Sequence, residues 1–169
     1  MNRNLTYLAL SLLLSFQLLA QEKELPHHMT PAEKAMMPAY LQQIKNKGIS
    51  TPPKGNIRTM AEWEEVQAMT ITWRSYYPVL TQIVEYAQQE CLVIINCTDS
   101  NSVKNYLTSN GVTPTNVVYN ITPSNTVWIR DYGAQCIYTD YNDSLALVDW
   151  TYNRPRPADD TIAETHARL

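Results

Sequence analysis

Apolar positions along this chain change period several times, and each change marks an element. Residues 66–73 alternate, with Val66, Ala68, Thr70 and Thr72 on one parity and Met69, Ile71 and Trp73 on the other. That pattern predicts a strand covered on at least one face. Over 78–90 the spacing turns helical and puts Leu80, Ile83, Val84 and Ala87 on one stripe. Cys91 and Cys97 bracket Leu92-Val93-Ile94-Ile95-Asn96, a buried strand. A second helix is predicted over 99–109, with Val103, Tyr106 and Leu107 inward and Gly111 just past its end. Val117, Val118 and Tyr119 form a strand leading toward Trp128. Cys136-Ile137-Tyr138 and the apolar run 145–150 are separated by Tyr141-Asn142-Asp143-Ser144, whose Asn-Asp-Ser is turn chemistry, so a hairpin is expected. Strands alternating with helices in one short chain give an α/β fold.

The first 55 residues read differently. In residues 1–20 the only charge is Arg3, and positions 5–20 are mostly leucine and other apolar residues, with Ala20 before Gln21-Glu22-Lys23. A charged start, a short apolar stretch and a small boundary residue predict a cleavable secretory signal and a secreted, periplasmic or cell-surface product. The run is shorter than the ~20 apolar residues of a membrane span and contains Thr6, Ser11, Ser15 and Gln17, so no stable span is expected after cleavage. Residues 21–55 follow as leader helix and linker. A flexible stretch holding His27 and His28, read as solvated leader rather than metal ligands, precedes Thr30-Pro31-Ala32-Glu33. That tetrad makes a capping box with proline at the first helical position. The helix is expected to run toward Lys47 and stop at Gly48, with Pro38 breaking or kinking it. The Pro-Pro stretch over 50–55 is a linker, and the main domain covers 56–169.

Charge narrows the function. Without the first 20 residues the chain carries 12 basic residues (13 less Arg3) against 16 acidic ones, net about −4; mild acidity with scattered lysines leaves no footprint for nucleic acid. Only 4 glycines are present, and no Walker or Rossmann glycine pattern. Cys91 and Cys97, at opposite ends of one strand, lie roughly 20 Å apart at ~3.3 Å per residue, beyond bonding range. Only a bond to Cys136 stays open, and buried free thiols are the simpler reading. None of the three has the setting of a nucleophile.

The chemically loaded residues lie at the entrance and exit of the hairpin. Trp128 beside Asp131 offers a planar cation an indole to stack on and a carboxylate to accept its hydrogen bonds. The bland alternative makes Trp128 core and Arg130–Asp131 a surface pair. Arg154-Pro155-Arg156-Pro157 weighs against it. Prolines bias the residues before them toward extended geometry, so Arg154 and Arg156 are expected to point the same way, a clamp for a carboxylate or phosphate. In a straight strand Trp128 and Asp131 would face opposite sides, so a bend near Arg130 is required if both serve one ligand.

At these residues the chain resembles the guanidino-group-modifying superfamily, in the branch of agmatine deiminases and bacterial peptidylarginine deiminases. The resemblance rests on Trp128-x-Arg130-Asp131-x-Gly133 and on Val148-Asp149-Trp150-x-Tyr152-Asn153. It reaches back to Met60-Ala61-Glu62-Trp63-Glu64 and covers residues 56–165. Agmatine deiminases typically continue after the asparagine with Trp-Gly-Gly; Arg154-Pro155-Arg156-Pro157-Ala158-Asp159-Asp160 is similar instead to the secreted peptidylarginine deiminases. The resemblance implies a pentein-like five-bladed α/β propeller of ββαβ repeats, of which this chain holds about two, as an N-terminal fragment. It implies hydrolysis of a guanidinium to a ureido group with loss of ammonia, through a cysteine covalent intermediate, without metal or organic cofactor. Asp131 would grip the guanidinium, Trp128 would pack on it, and Arg154 and Arg156 would hold the carboxylate of a C-terminal arginine on a peptide or protein. The family's nucleophilic cysteine and His-x-Asp element are matched by nothing here: His166 lacks the aspartate and reads as a surface residue. Two other readings stand beside this one, an agmatine-type small-molecule deiminase of putrescine biosynthesis and a non-catalytic secreted binding or structural remnant.

Overall fold

The computed structural model describes residues 24–48, 51, 55–139 and 144–169. The expected signal segment, most of the Pro-rich linker and the Asn142-Asp143 turn lie outside the described residues. Among the described residues no helix is long and apolar enough to cross a membrane.

Helix α1 (Pro31–Ile44) starts where the capping box predicts: Thr30 N donates to Glu33 Oε2 at 2.7 Å, and Glu33 N donates to Thr30 Oγ1 at 3.2 Å. Pro38 sits inside this helix and does not end it, so of the expected break or kink the break does not occur. Strand β1 (Ile57–Thr59) follows, then β2 (Ala68–Thr72), α2 (Tyr77–Ala87), β3 (Leu92–Cys97), α3 (Ser100–Ser109) and β4 (Val117–Ile121). The later elements are α4 (Ile129–Tyr132), β5 (Gln135–Thr139), β6 (Ser144–Val148), α5 (Pro157–Asp160) and α6 (Ile162–His166).

Strands β2, β3 and β4 form a parallel sheet in that order, with Ile71 opposite Ile95 and Thr72 opposite Asn96. Parallel neighbours need crossover connections, which α2 and α3 supply. One face of this sheet is apolar. Leu80 and Val84 of α2 and Val103 and Leu107 of α3 pack on Ile71, Val93, Ile95 and Cys97, and most of these side chains are fully excluded from water. The periodicity of both helices therefore placed their inward stripes correctly, and the fold is α/β. Asp99 caps α3 by accepting from Asn101 N at 2.9 Å, and Gly111 follows it at φ +84°.

The second sheet has the order β1-β5-β6, all antiparallel, and contains the expected hairpin, with Cys136 opposite Leu147. The run β1-β2-α2-β3 reads as one ββαβ unit, yet β1 is hydrogen-bonded to β5 and not to its sequence neighbour β2. Cys91, Cys97 and Cys136 are all unbridged.

The opposite face of the parallel sheet carries a polar row instead of an apolar one. Asn96 Nδ2 donates to Ile71 O at 3.1 Å, and Asn96 Oδ1 accepts from Asn120 Nδ2 at 2.8 Å. His166 Nε2 lies 2.8 Å from the same Oδ1, and an amide oxygen only accepts, so the proton sits on Nε2. His166 is thus packed into the row rather than lying free on the surface, and burial lowers its pKa. Asn120 also donates to Thr165 Oγ1 at 2.7 Å, tying α6 to the sheet. Tyr132 of α4 closes the row: its hydroxyl donates to Thr126 O at 2.7 Å and lies 2.9 Å from Thr72 Oγ1, which therefore donates to it. Satisfied in this way, the row fixes where α4 and α6 sit on the sheet.

Candidate functional site

The segment expected to enter the hairpin as a strand is instead a single helical turn. Trp128 stands at its start, Asp131 N donates to Trp128 O at 2.9 Å, and Gly133 N donates to Ile129 O at 2.7 Å. Residues i and i+3 of a helical turn share a face, so the chain bends near Arg130 as service to one ligand requires. Gly133 permits the turn by its bareness. A Cβ there would lie 2.7 Å from Ile129 O, closer than such atoms come.

Why the chain turns here is written thirty residues later. Asp159, fully buried, accepts from Asn125 N at 2.7 Å, Thr126 N at 3.1 Å and Thr126 Oγ1 at 2.8 Å. Ala158 N in turn donates to Asn125 Oδ1 at 2.8 Å. Burial raises the Asp159 carboxyl pKa, and the bonds from Thr126 and Asn125 act against that rise. These bonds fasten the stretch before Trp128 to α5, and so join the two loaded motifs that the sequence holds apart.

The arginine pair departs from the extended clamp. Arg156 N donates to Arg154 O at 2.7 Å, a three-residue turn centred on Pro155. The two side chains consequently have different surroundings. Arg156 is almost wholly buried and donates through Nε to Glu33 Oε1 at 2.7 Å and through Nη2 to Pro26 O at 2.9 Å. Burial opposes its charge, and the bonds and charge of Glu33 together overcome that cost. The bond from Arg156 holds the Glu33 carboxyl down at about 2. Arg154 is half-buried, its guanidinium 6.0 Å from the centre of the Tyr152 ring.

Tyr152 is the hub that pattern reading passed over. Its ring meets Tyr132 edge-on at 5.6 Å, its carbonyl accepts from Tyr40 of α1 at 2.6 Å, and its N–H donates to Asp160 Oδ1. Burial raises its hydroxyl pKa, Arg154 and Arg156 act to lower it, and Asp131 and Asp159 act to raise it, so all four charges lie within electrostatic range. Around it are polar atoms buried without a hydrogen-bond partner: Asp131 Oδ2, Tyr152 Oη, Arg154 Nη1 and Arg156 Nη1. Both signs of charge are represented.

The leader supplies the remaining wall. Trp128 Nε1 donates to Leu25 O at 3.0 Å, and Val127 N donates to Glu24 Oε1 at 2.8 Å. Glu24 Oε2 lies 3.6 Å from Arg74 Nε. His27, read from sequence as solvated, packs its ring against Trp128 and approaches Asp131 Oδ2 at 3.1 Å. The only sequence signal for any of this was the capping box, which announced Glu33 but not its second partner.

Two grooves lie elsewhere. One of about 740 Å³ runs between β2 and α2, lined by Val66, Met69, Val79, Ile83 and Tyr86, and one of about 270 Å³ is lined by Trp73, Tyr77, Cys97, Asp99 and Tyr106. Neither contains a residue of the Trp128–Asp131 cluster. Cys97 is buried in the core, where burial pushes its thiol up, so it does not have the environment of an attacking thiolate. Among the described residues no three His, Cys, Asp or Glu side chains converge on a metal position.

The α/β scaffold thus brings an indole, a carboxylate and two guanidiniums round one buried tyrosine. A sequence profile of the Porphyromonas-type peptidyl-arginine deiminase family matches residues 58–165, and the chain belongs to that family. In fold it is similar to C. jejuni agmatine deiminase, at 20% identity and a TM-score of 0.55 over 71% of this chain and 39% of that one. It is similar also to a putative arginine deiminase from Porphyromonas gingivalis, at 17% identity and a TM-score of 0.53 over 67% of this chain and 37% of that one. The chain thus spans well under half the length of either structure.

Proposed function

We propose that this chain forms the arginine-holding part of an exported guanidino-group hydrolase, built as roughly two units of a five-bladed propeller. A guanidinium lies against Trp128 with Asp131 as its acceptor, and Arg154, backed by Arg156, takes the carboxylate of a C-terminal arginine. The observation that carries this reading is the set of buried atoms around Tyr152 without a hydrogen-bond partner: one carboxylate oxygen, approached by His27 at 3.1 Å, and two guanidinium nitrogens. Leaving such atoms unpaired is costly, and a free-carboxylate arginine carries the groups that would pair them. Water would replace the guanidinium nitrogen, giving a ureido group and ammonia, after attack by a cysteine thiolate and proton transfer by a histidine. No cysteine is among the residues gathered at this site, and the histidine there, His27, is not part of a His-x-Asp element.

One observation favours a second reading. Glu33 already neutralises Arg156, which leaves Arg154 as the main anion partner and brings a guanidine without a carboxylate, such as agmatine, into consideration. Calorimetric titration of the chain with Nα-acetyl-arginine, Nα-acetyl-argininamide and agmatine separates the two. The first reading expects the acid to bind best, Arg154→Ala to erase its advantage over the amide, and Asp131→Asn to abolish binding of all three. Agmatine binding tightest, with Arg154→Ala neutral, would move the assignment to the second.

A further inference from the structure

His27 stands where the guanidinium of that reading would lie. Its ring meets the Trp128 indole edge-on with 5.4 Å between centroids, and its Nε2 lies 3.1 Å from Asp131 Oδ2. An imidazole is planar and presents N–H donors, and when protonated it is a cation. It therefore offers an indole and a carboxylate the same features that a guanidinium does.

The segment around His27 is fastened, whereas His27 itself is not. On the upstream side Glu24 accepts from Val127 N, and Leu25 O accepts from Trp128 Nε1. Pro26 O, also upstream, accepts from Arg156 at 2.9 Å, and on the downstream side Glu33 accepts from the same arginine at 2.7 Å. All four anchors are bonds to the residues that flank the cradle, so the leader is held against the site without any contribution from His27. The His27 side chain, by contrast, is 60% exposed, and its approach to Asp131 has the distance of an ion pair without hydrogen-bond alignment, since Oδ2 still has no hydrogen-bond partner. An exposed ring on a fixed backbone leaves by rotation about its own side-chain bonds, without unfolding the leader.

We infer that His27 is an internal occupant of the guanidinium cradle, displaced by an incoming guanidinium while residues 24–26 and Glu33 stay anchored. It sets the affinity of the site and takes no part in bond making. The inference rests on the reading of Trp128 and Asp131 as a guanidinium site.

The full chain is titrated with Nα-acetyl-arginine by calorimetry, alongside the variants His27→Ala, His27→Arg and His28→Ala. Loss of an occupant removes the population in which the site is closed, so His27→Ala is expected to bind about three- to thirtyfold tighter. His27→Arg places a permanent guanidinium beside Asp131 and is expected to bind several-fold weaker. Exposed His28 is the control and should leave affinity unchanged. In parallel, the ring-proton resonances of His27 should shift as wild type saturates, while the amide of Leu25 stays in place. If Asp131→Asn abolishes binding but His27→Ala binds no tighter than wild type, the site reading stands and the occupant role of His27 is overturned. If no variant binds and Asp131→Asn changes nothing, the site reading itself has failed and this inference falls with it.

Discussion

Glu33 and Arg156 are separated by 123 positions in the chain and by 2.7 Å in space, with 6% and 1% of their side chains exposed. The pair is the principal bond between the leader helix and the segment that follows the hairpin. Breaking one side of a buried ion pair leaves an uncompensated charge in a poor solvent, which costs about 3–5 kcal/mol. Glu33→Ala is therefore expected to lower unfolding stability by that order in urea titrations. Changing both residues, Glu33→Ala with Arg156→Met, should recover part of the loss. A double variant no better than the single one would mean that the loss comes from the missing cap between Glu33 and Thr30 and not from an unpaired Arg156.

The same pair sets a pH window. The Glu33 carboxyl falls from 4.5 to about 2 on folding, first through its bond from Arg156, against the opposing effect of burial. A depressed acid pKa contributes stability that is present above the unfolded value and is lost as pH falls through the folded one. The contribution should thus be complete above about pH 4.5 and gone below about pH 2, amounting to roughly 3 kcal/mol at ~1.4 kcal/mol per unit. Thermal unfolding followed between pH 6 and pH 2 tests this, because Glu33→Gln should flatten the fall across that window. An unchanged slope in the variant would assign the acid sensitivity to other carboxylates.

Gly133 closes the one-turn helix that carries Trp128 and Asp131. A methyl group at this position would meet the Ile129 carbonyl at 2.7 Å, and backbone cannot swing aside as a flexible side chain can. Gly133→Ala is expected to cost about 1–3 kcal/mol and to weaken ligand binding through misplacement of Asp131. Comparing unfolding and titration of this variant with wild type checks both effects. A neutral result would show that α4 tolerates a wider turn.

Tyr132→Phe removes a hydroxyl that both donates to Thr126 O and accepts from Thr72 Oγ1. Both partners are buried and have no water to turn to. Unpairing them should cost about 1–3 kcal/mol, read as a lower thermal midpoint. Arg130→Ala, on an exposed side chain of the same turn, should change stability by less than about 0.5 kcal/mol and serves as the reference.

What the sequence determined by itself was local. The stripes Leu80–Val84 and Val103–Leu107, the buried run through Val93 and Ile95, the antiparallel pairing of β5 with β6 and the Thr30–Glu33 cap all came through. Each depends on neighbours within four residues or on a period that backbone geometry imposes. The α/β class followed from their order. Tertiary structure alone decided the site. Whether residues 126–133 run on as a strand or coil into a turn was settled by Asp159, and the aim of Arg156 by Glu33, partners 33 and 123 positions away. Glu33 shows the division within one side chain. Its Oε2 makes the i to i+3 cap that a reader of the sequence sees, while its Oε1, and Oε2 at a longer 3.3 Å, meet an arginine that no spacing rule predicts. Local bonds are fixed by chain geometry, whereas distant ones form only between surfaces that folding has already brought together.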